Sequence, residues 1–203
     1  MAENSFRPMF REIRIALGLT GSHGIVRRYL VVNGFDGALT MLGLVIGFHL
    51  SGTQDLRVVI GACLGAAVAL GVSGVSSAYI SESAEKQKEL RELEQAMIKD
   101  MSGSIHGRAS RLLPLFVAFV NGMSPFAISL LIISPIWAAY LSIQLPIPPL
   151  QLSFIVALAM LFLLGTYLGK ISGVFWLWSG IRALVIALAT GGIIVALNLL
   201  QRG

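Results

Sequence analysis

Five long apolar segments constrain this chain more than any other feature, because each has about the length needed to cross a bilayer. A transmembrane helix needs about 20 predominantly apolar residues. The segments meet or approach that length and cover approximately residues 29–51, 58–80, 112–141, 152–171 and 175–199. Lipid offers no partner to backbone polar groups, so single spans of this length must be helical. The sequence therefore predicts an all-α, polytopic membrane protein with five transmembrane helices.

The composition supports a membrane protein rather than a soluble domain. Of the 203 residues, 56% are hydrophobic and 12% are charged, whereas soluble domains carry about 25% charged residues. The one cysteine, Cys63, lies in an apolar run and has no partner for an intrachain disulfide. The first apolar run is longer than the core of a signal peptide, so we expect no cleavable leader.

Basic residues are distributed unevenly between the connecting segments, and this predicts the orientation of the spans. The link between the first two spans has one basic residue, Arg57, and the link between the third and fourth has none. The remaining segments carry Arg7, Arg11, Arg14, Arg27, Arg28, Lys86, Lys88, Arg91, Lys99, Arg108, Arg111, Lys170 and Arg182. By the positive-inside rule, the N-terminus is cytoplasmic and the C-terminus lies outside. The net charge of +5 follows from this topology, and we predict no nucleic-acid partner.

The chain divides into four segments on this topology. Residues 1–28 place apolar residues opposite arginines at helical spacing, which predicts an amphipathic helix in the membrane interface. Residues 29–80 hold transmembrane helices 1 and 2, and residues 112–203 hold helices 3 to 5. Between them, residues 81–111 are acidic and basic, with neither glycine nor proline from Ser81 to Asp100. We therefore expect the second helix to extend out of the bilayer into the cytoplasm.

One acidic residue interrupts the first span. Asp36 lies in VNGFDGALTMLGLVIG, residues 32–47, and follows Arg28 by roughly 12 Å along a helix. A charge at the bilayer centre costs about 2.5–3.5 kcal/mol, so such residues usually face a cavity or a partner and mark a transport pathway. In the alternative, Asp36 is structural, and it caps a broken helix or pairs with a basic residue: Arg28, Lys170 or Arg182.

The small and polar neighbours of Asp36 occur a second time in the chain. Asn33, Gly34 and Gly37 weaken the helix, so we expect a local break whose carbonyl groups join the carboxylate. VNGFDG at residues 32–37 is matched by VNGMSP at residues 120–125, again early in a long span. Paired interrupted helices at corresponding positions indicate the substrate site of a transporter. The candidate pathway therefore comprises Asp36 and Asn33 of the first motif and Asn121, Met123 and Ser124 of the second.

Beyond the second span, four glutamates share one face of the predicted helix. They follow one another at intervals of three, four and three residues, at Glu82, Glu85, Glu89 and Glu92. Carboxylates are hard oxygen ligands that suit divalent cations, so this face is a candidate metal site. In the alternative, the helix is simply solvated and its glutamates pair with neighbouring lysines, namely Lys86, Lys88 and Lys99.

Three stretches give the chain a resemblance to the vacuolar iron transporter family. The first span of that family opens with an Asp-Gly motif, here FDGALTMLGLVIG. Its second span continues into a charged cytoplasmic helix, here SSAYISESAEKQKELRELE, and its last two spans carry a Gly/Lys turn and a Ser-Gly-x-Arg step, here LGTYLGKISGVFWLWSGIRALVIAL. The resemblance implies a homodimer that moves ferrous iron or manganese out of the cytoplasm in exchange for protons, with Asp36 in the pathway.

The chain departs from the family pattern at the cytoplasmic end of span 2. Family members usually have Met and then Gly-Glu-Tyr there, whereas this chain has Gly74 and then Ser77, Ala78 and Tyr79. The nearest replacements are Met41 for the thioether and Glu82 for the carboxylate. The resemblance therefore adds Met41 to the candidate pathway beside Asp36. Only about 30 residues separate spans 2 and 3, which is too few for the multi-helix metal-binding domain of the family. The glutamate face of two subunits would form a reduced version across a dimer axis.

The sequence leaves two classes of function open. The first is a proton-coupled exporter of Fe²⁺ or Mn²⁺ with no permanently bound cofactor, and the second is a non-transporting membrane scaffold or accessory subunit. An intramembrane enzyme is disfavoured because the sequence has no Ser/His, Cys/His or HExxH arrangement. We expect the plasma (inner) membrane as the location in a prokaryote and a vacuolar-type membrane in a eukaryote.

Overall fold

All the regular structure in the described part of the chain is α-helical. The computed structural model describes residues 23–98, 100 and 103–202. Its five helices, in chain order, are α1 (His23–Ser51), α2 (Leu56–Met97), α3 (Ile105–Tyr140), α4 (Pro149–Ile171) and α5 (Trp176–Arg202). The interfacial helix predicted for the N-terminal segment falls mostly on residues 1–22, which lie outside the described residues.

All five helices are long and apolar enough to cross a membrane. This confirms the predicted all-α membrane architecture, and the protein is a multi-pass integral membrane protein. The helices α1 and α3 each begin several residues before their apolar segments, at His23 and Ile105. Arginines precede both apolar segments, and because arginine is a good helix former the helix continues through them beyond the apolar region.

The helix α2 is much longer than a bilayer is thick. Its 42 residues give a length of roughly 63 Å at about 1.5 Å per residue, against a hydrocarbon core of about 30 Å. The predicted extension of the second span beyond the membrane is therefore confirmed. The helix ends at Met97, and Ile98 has a φ of 50°, a left-handed conformation that closes a helix C-terminus.

Short turns join most of the spans. Gly52 and Gly173 each have a φ of +70°, which glycine adopts without steric cost. The carboxylate of Asp55 accepts a hydrogen bond of 2.8 Å from the backbone N–H of Arg57 and so caps the start of α2. Pro149 at the first turn of α4 follows the usual preference of proline for helix starts.

The chain separates into two compact units, and each has its own core. One unit comprises the described residues up to Leu30 together with those from Val72 to Met123, and its small core contains Ala109 and Leu113. The other comprises 31–71 and 124–203. Its larger core is formed by Ala38, Met41, Leu42, Val45, Val59, Ile60, Cys63, Ala67, Ile128, Ile132, Ile133, Ile136, Ala157, Leu161, Leu164 and Ala187.

Glycines bring α4 and α5 into close contact. A Cβ atom at Gly165 would lie 2.7 Å from the Cβ of Ala183, and one at Gly169 would lie 2.6 Å from Oγ of Ser179. A Cβ atom at Gly180 would lie 2.6 Å from Cε2 of the Phe162 ring. Small residues are the usual contact between membrane helices because they let backbones approach. Gly165 and Gly169 of the LGTYLGKISG stretch therefore allow the last two spans to pack closely.

Candidate functional site

The two matching sequence motifs pack against each other where α1 meets α3. A Cβ atom at Gly37 would lie 2.7 Å from the carbonyl oxygen of Pro125. A Cβ atom at Gly34 would lie 2.8 Å from Cδ1 of Ile128 and 3.2 Å from Oγ of Ser124. Side chains larger than hydrogen do not fit at Gly37, because the atom that they would meet belongs to a backbone that cannot rotate away.

Neither motif interrupts its helix. The helix α1 is continuous through residues 33–37, and α3 is continuous through residues 121–125. The predicted helix break is therefore wrong, and so is the alternative in which Asp36 caps such a break. Tertiary packing overrides the low helix propensity of glycine, and the glycines of α1 allow close contact with α3.

Asp36 lies away from this contact. Its side chain is exposed in the described part of the chain, as is that of Val32 one turn earlier, whereas Gly34 and Gly37 are buried. Within the described residues, no ion pair joins Asp36 to Lys170 or Arg182. The first span thus presents a carboxylate on an exposed face.

The side chains of Met41 and Asp36 point in different directions from α1. The side chain of Met41 is fully buried in the larger core. Five residues of helix turn the chain by roughly 140° at about 3.6 residues per turn, which accounts for one side chain being exposed and the other buried. A pathway role for Met41 stays a prediction.

The polar residues of the second motif point in different directions. Asn121 is 4% exposed, and its Nδ2 donates a hydrogen bond of 2.7 Å to the carbonyl oxygen of Gly74. This bond connects α3 to α2, and a Cβ atom at Gly74 would lie 3.1 Å from the carbonyl oxygen of Asn121. Ser124 is buried, Met123 is exposed and Asn33 is half-buried. Asn121 therefore has a clear structural task, and a role for these four residues in transport stays a prediction.

The four glutamates beyond the second span differ in their surroundings. Glu82 is 4% exposed, and its Oε1 accepts a hydrogen bond of 3.0 Å from the hydroxyl group of Tyr29 on α1. Glu85, Glu89 and Glu92 are exposed. These four glutamates form a stripe along α2. The stripe consists of one buried carboxylate that binds a neighbouring helix and three that face outward.

Two of the outward-facing carboxylates already have a cationic neighbour. Nζ of Lys86 lies 2.7 Å from Oε2 of Glu89, and Nζ of Lys88 lies 3.8 Å from Oε1 of Glu92. The predicted pairing with these two lysines is confirmed, whereas Lys99 lies outside the described residues. The Lys88–Glu92 pair is exposed on both sides, and such helical pairs contribute only about 0.3–0.5 kcal/mol, so a divalent cation competes with it at small cost.

Lys86 itself is an unusual member of this face because it is only 7% exposed. It lines a cavity of about 30 Å³ together with Glu89 on α2 and Ala109 and Ser110 on α3. A buried ammonium group requires a carboxylate or other acceptor, and Glu89 supplies it. The positive charge of Lys86 opposes cation binding by Glu89. Of the three exposed glutamates, Glu85 is the one without an ion pair to a lysine among the described residues.

A single chain does not gather a complete metal site in the described residues. There, no group of three or more His, Cys, Asp or Glu side chains is placed to hold a metal ion. One stripe offers carboxylates on one surface only, whereas divalent cations such as Ca²⁺ take 6–8 oxygen ligands. The metal-binding role of Asp36 and of the four glutamates stays a prediction.

The sequence analysis did not identify Tyr29 as a partner of Glu82. Tyrosine is common where a membrane helix enters the interface, because its ring is apolar and its hydroxyl is polar. The signal available in the sequence was the position of Tyr29 directly after two arginines at the start of the first apolar segment. Its contact with a residue 53 positions away depends on tertiary packing.

Comparison with known proteins assigns the chain to a family. The chain is 31% identical over 165 residues to "Uncharacterized protein MJ0645" of Methanocaldococcus jannaschii, an alignment that covers 80% of this chain and 83% of that protein. The chain belongs to the family of this archaeal protein. No family model and no solved structure matches it.

Proposed function

We propose that the protein is a proton-coupled transporter that moves a divalent metal ion, Fe²⁺ or Mn²⁺, out of the cytoplasm as a homodimer. The observation that carries this proposal is Asp36, a carboxylate on an exposed face of a membrane-spanning helix. Ionisable residues within spans are costly to insert and commonly line ion pathways and proton relays. The resemblance of the FDGALTMLGLVIG stretch to vacuolar iron transporters supports the same role.

The exposed position of Asp36 supports two-fold pairing. A carboxylate that faced hydrocarbon would cost about 2.5–3.5 kcal/mol at the centre of a span. A second copy of the chain would shield this face from lipid, because an isologous contact brings the same surface of both subunits together, and a cation or proton between the two carboxylates would then balance their charge. Two Asp36 carboxylates across such an axis would provide a charged site for a dication and accept protons when the metal leaves.

The outward-facing glutamates of α2 supply the other part of the proposal. Glu85, Glu89 and Glu92 are exposed on a helix that extends well beyond the membrane. A negatively charged surface raises the local concentration of cations. Paired stripes from two subunits would bring together enough carboxylate oxygens to bind a divalent ion before it reaches Asp36.

A non-transporting scaffold or accessory subunit is the second candidate. It is favoured by two hydrogen bonds in which polar residues join neighbouring helices. Asn121 binds the backbone of Gly74 and Glu82 accepts from Tyr29. One residue of the predicted pathway and one predicted metal ligand thus make contacts between helices. In a scaffold, Asp36 would serve only to hold a partner helix.

Metal flux through proteoliposomes separates the two candidates. The wild-type protein is reconstituted with a metal-sensitive dye and a pH-sensitive dye, and Mn²⁺ is added. We expect Mn²⁺ flux with opposite proton flux, and we expect Asp36→Asn to abolish both, because an amide neither releases a proton nor balances a dication.

The matched control is Asp55→Asn. Asp55 is an exposed carboxylate before α2 that caps this helix, and asparagine is an equally good cap. We expect normal flux in this variant. An absence of metal flux in the wild-type protein would favour the scaffold, and full flux in Asp36→Asn would remove Asp36 from the mechanism.

A further inference from the structure

A cavity of about 330 Å³ lies between α1, α4 and α5, several turns from Asp36. Val45 and Ile46 of α1, Phe154 and Ile155 of α4 and Val195 of α5 contribute to its walls. The cavity lies at the C-terminal end of α1 and the N-terminal end of α4. The positive-inside rule places these ends on the outer side of the membrane.

The size and lining of the cavity suit an apolar ligand. Ligand sites in proteins measure roughly 300–1,000 Å³ and have mostly apolar walls with a few polar groups. Apolar cavities exclude water and take up apolar molecules, because water finds no hydrogen-bond partner on their walls. The seven wall residues other than the two discussed below are all apolar.

The cavity is continuous with the lipid-facing surface of the protein. Ile155 and Val195 line it, and 52% and 38% of their respective surfaces are exposed on membrane-spanning helices. In contrast, Val45 is only 1% exposed and forms part of the inner wall. Hydrocarbon chains are the apolar molecules that surround such helices, and a chain that enters beside Ile155 comes to lie against the α1 wall at Ile46.

Two polar residues lie at one end of the cavity. His49 lies near the end of α1 and Gln151 lies in the first turn of α4. Both are exposed. Because they belong to the ends of spans, they lie near the depth of lipid headgroups, while Val45 lies roughly 6 Å deeper along α1 at about 1.5 Å per residue. Each can donate a hydrogen bond, His through a ring N–H and Gln through its amide.

We propose that this cavity binds one hydrocarbon chain of a bilayer lipid from the outer leaflet, with His49 and Gln151 donating hydrogen bonds to its polar headgroup. The apolar walls account for the chain, the open side accounts for entry from the bilayer, and the polar pair accounts for a lipid rather than a free hydrocarbon. The site is separate from Asp36 and does not depend on metal transport.

A phospholipid with a photoreactive diazirine on one acyl chain tests this site. The full chain is reconstituted in phosphatidylcholine vesicles that contain this lipid, irradiated and digested, and labelled peptides are measured by mass spectrometry. We expect labelling of the α1 segment around Val45 and Ile46. Val45 and Ile46 line the cavity, so a labelled chain that occupies the cavity lies beside this segment.

The informative variant is Ile155→Trp, whose larger side chain fills the cavity entrance. Its matched control is Leu163→Trp, which is 57% exposed on the same helix but outside the cavity. We expect Ile155→Trp to lower labelling of the Val45 segment by roughly tenfold and Leu163→Trp to leave it unchanged. Circular dichroism verifies that both variants remain helical.

A second variant tests the headgroup contacts without changing the apolar walls. The double change His49→Ala with Gln151→Ala removes both donors, and loss of two hydrogen bonds is expected to lower labelling by roughly tenfold. An unlabelled Val45 segment in the wild-type protein would overturn the proposal, and would result if a second copy of the chain covered the cavity. Labelling that neither Ile155→Trp nor the double variant reduces would overturn it as well.

Discussion

Gly37 lies at the contact between α1 and α3, which leaves no room for a Cβ atom. A Cβ atom there would lie 2.7 Å from the carbonyl oxygen of Pro125, so Gly37→Ala forces backbones apart. Overpacking of this kind typically costs about 1–3 kcal/mol. We expect a lower Tm for Gly37→Ala when unfolding in detergent is followed by circular dichroism.

Gly47 provides the control for this prediction. It lies in the same helix, and a Cβ atom there would meet nothing within 4 Å. Alanine is favoured over glycine within helices by about 1 kcal/mol, so Gly47→Ala is expected to keep or raise the Tm. Equal Tm values for the two variants would show that α1 and α3 do not pack as described.

The hydrogen bond between Tyr29 and Glu82 gives a second prediction at the residue scale. Glu82 is buried, and Tyr29→Phe removes the hydroxyl that donates to it over 3.0 Å. A buried acceptor that loses its donor costs about 1–3 kcal/mol. We expect Tyr29→Phe to be less stable than Tyr79→Phe, because Tyr79 on α2 is 45% exposed.

Chemical denaturation in mild detergent measures this difference. The same helical signal is followed for wild type, Tyr29→Phe and Tyr79→Phe. If both variants unfold at the wild-type denaturant concentration, the hydrogen bond has no net effect on stability. In that case Glu82 would be solvated and available to act with the other glutamates.

At the scale of whole helices, the sequence predicts much and fails at identifiable places. The five spans are predictable because length and apolar content are local properties of the chain. The extension of α2 is predictable for the same reason, since residues 81–97 are mostly good helix formers. The break expected beside Asp36 is wrong because glycine propensity is local, whereas the contact of Gly37 with Pro125 is tertiary.

The sequence predicts less well the direction in which each side chain points from its helix. The sequence places Asp36 and Met41 in one candidate pathway, yet one is exposed and the other is buried. Similarly, Glu82 shares a stripe with Glu85 but is buried against Tyr29. Periodicity shows which residues share a face, but in a membrane span both lipid and core are apolar, so hydrophobicity does not distinguish the inner face from the outer one.

The exposed glutamates of α2 lead to a prediction at the element scale. If they collect cations, converting Glu85 and Glu89 to Gln should weaken Mn²⁺ binding measured by calorimetry while the helical signal is unchanged. The matched change is Glu94→Gln, which removes one charge from the same helix but lies off the stripe. We expect a clear loss of affinity in the double variant and little change in the control.

Unchanged Mn²⁺ affinity in the double variant would support the solvated helix. The ion pairs of Glu89 with Lys86 and of Glu92 with Lys88 would then be the whole function of this face. A loss of equal size in Glu94→Gln would indicate a general effect of net charge rather than a site.

At the scale of the whole molecule, subunit pairing would complete each of the two candidate sites. Asp36 is exposed on α1, and Glu85, Glu89 and Glu92 are exposed on α2. Each site alone provides too few oxygen ligands for a dication that takes six or more. Two-fold pairing doubles each set, because an isologous contact presents the same residues from both chains. The outward-facing glutamates of two subunits would then lie near each other across the axis.

Cysteine crosslinking tests this pairing directly. We expect Glu89→Cys, in a Cys63→Ala background, to form an intermolecular disulfide in membranes, and we expect Mn²⁺ to change its rate because the ion alters the separation of the two acidic faces. Gln87→Cys in the same background is the control, since Gln87 is exposed like Glu89 but lies on the opposite side of the helix and should crosslink more slowly. A protein that stays monomeric in bilayers, with no crosslink from any exposed position between Ser83 and Glu92, would contradict the paired arrangement. Asp36 would then have to act with the ligands of one chain.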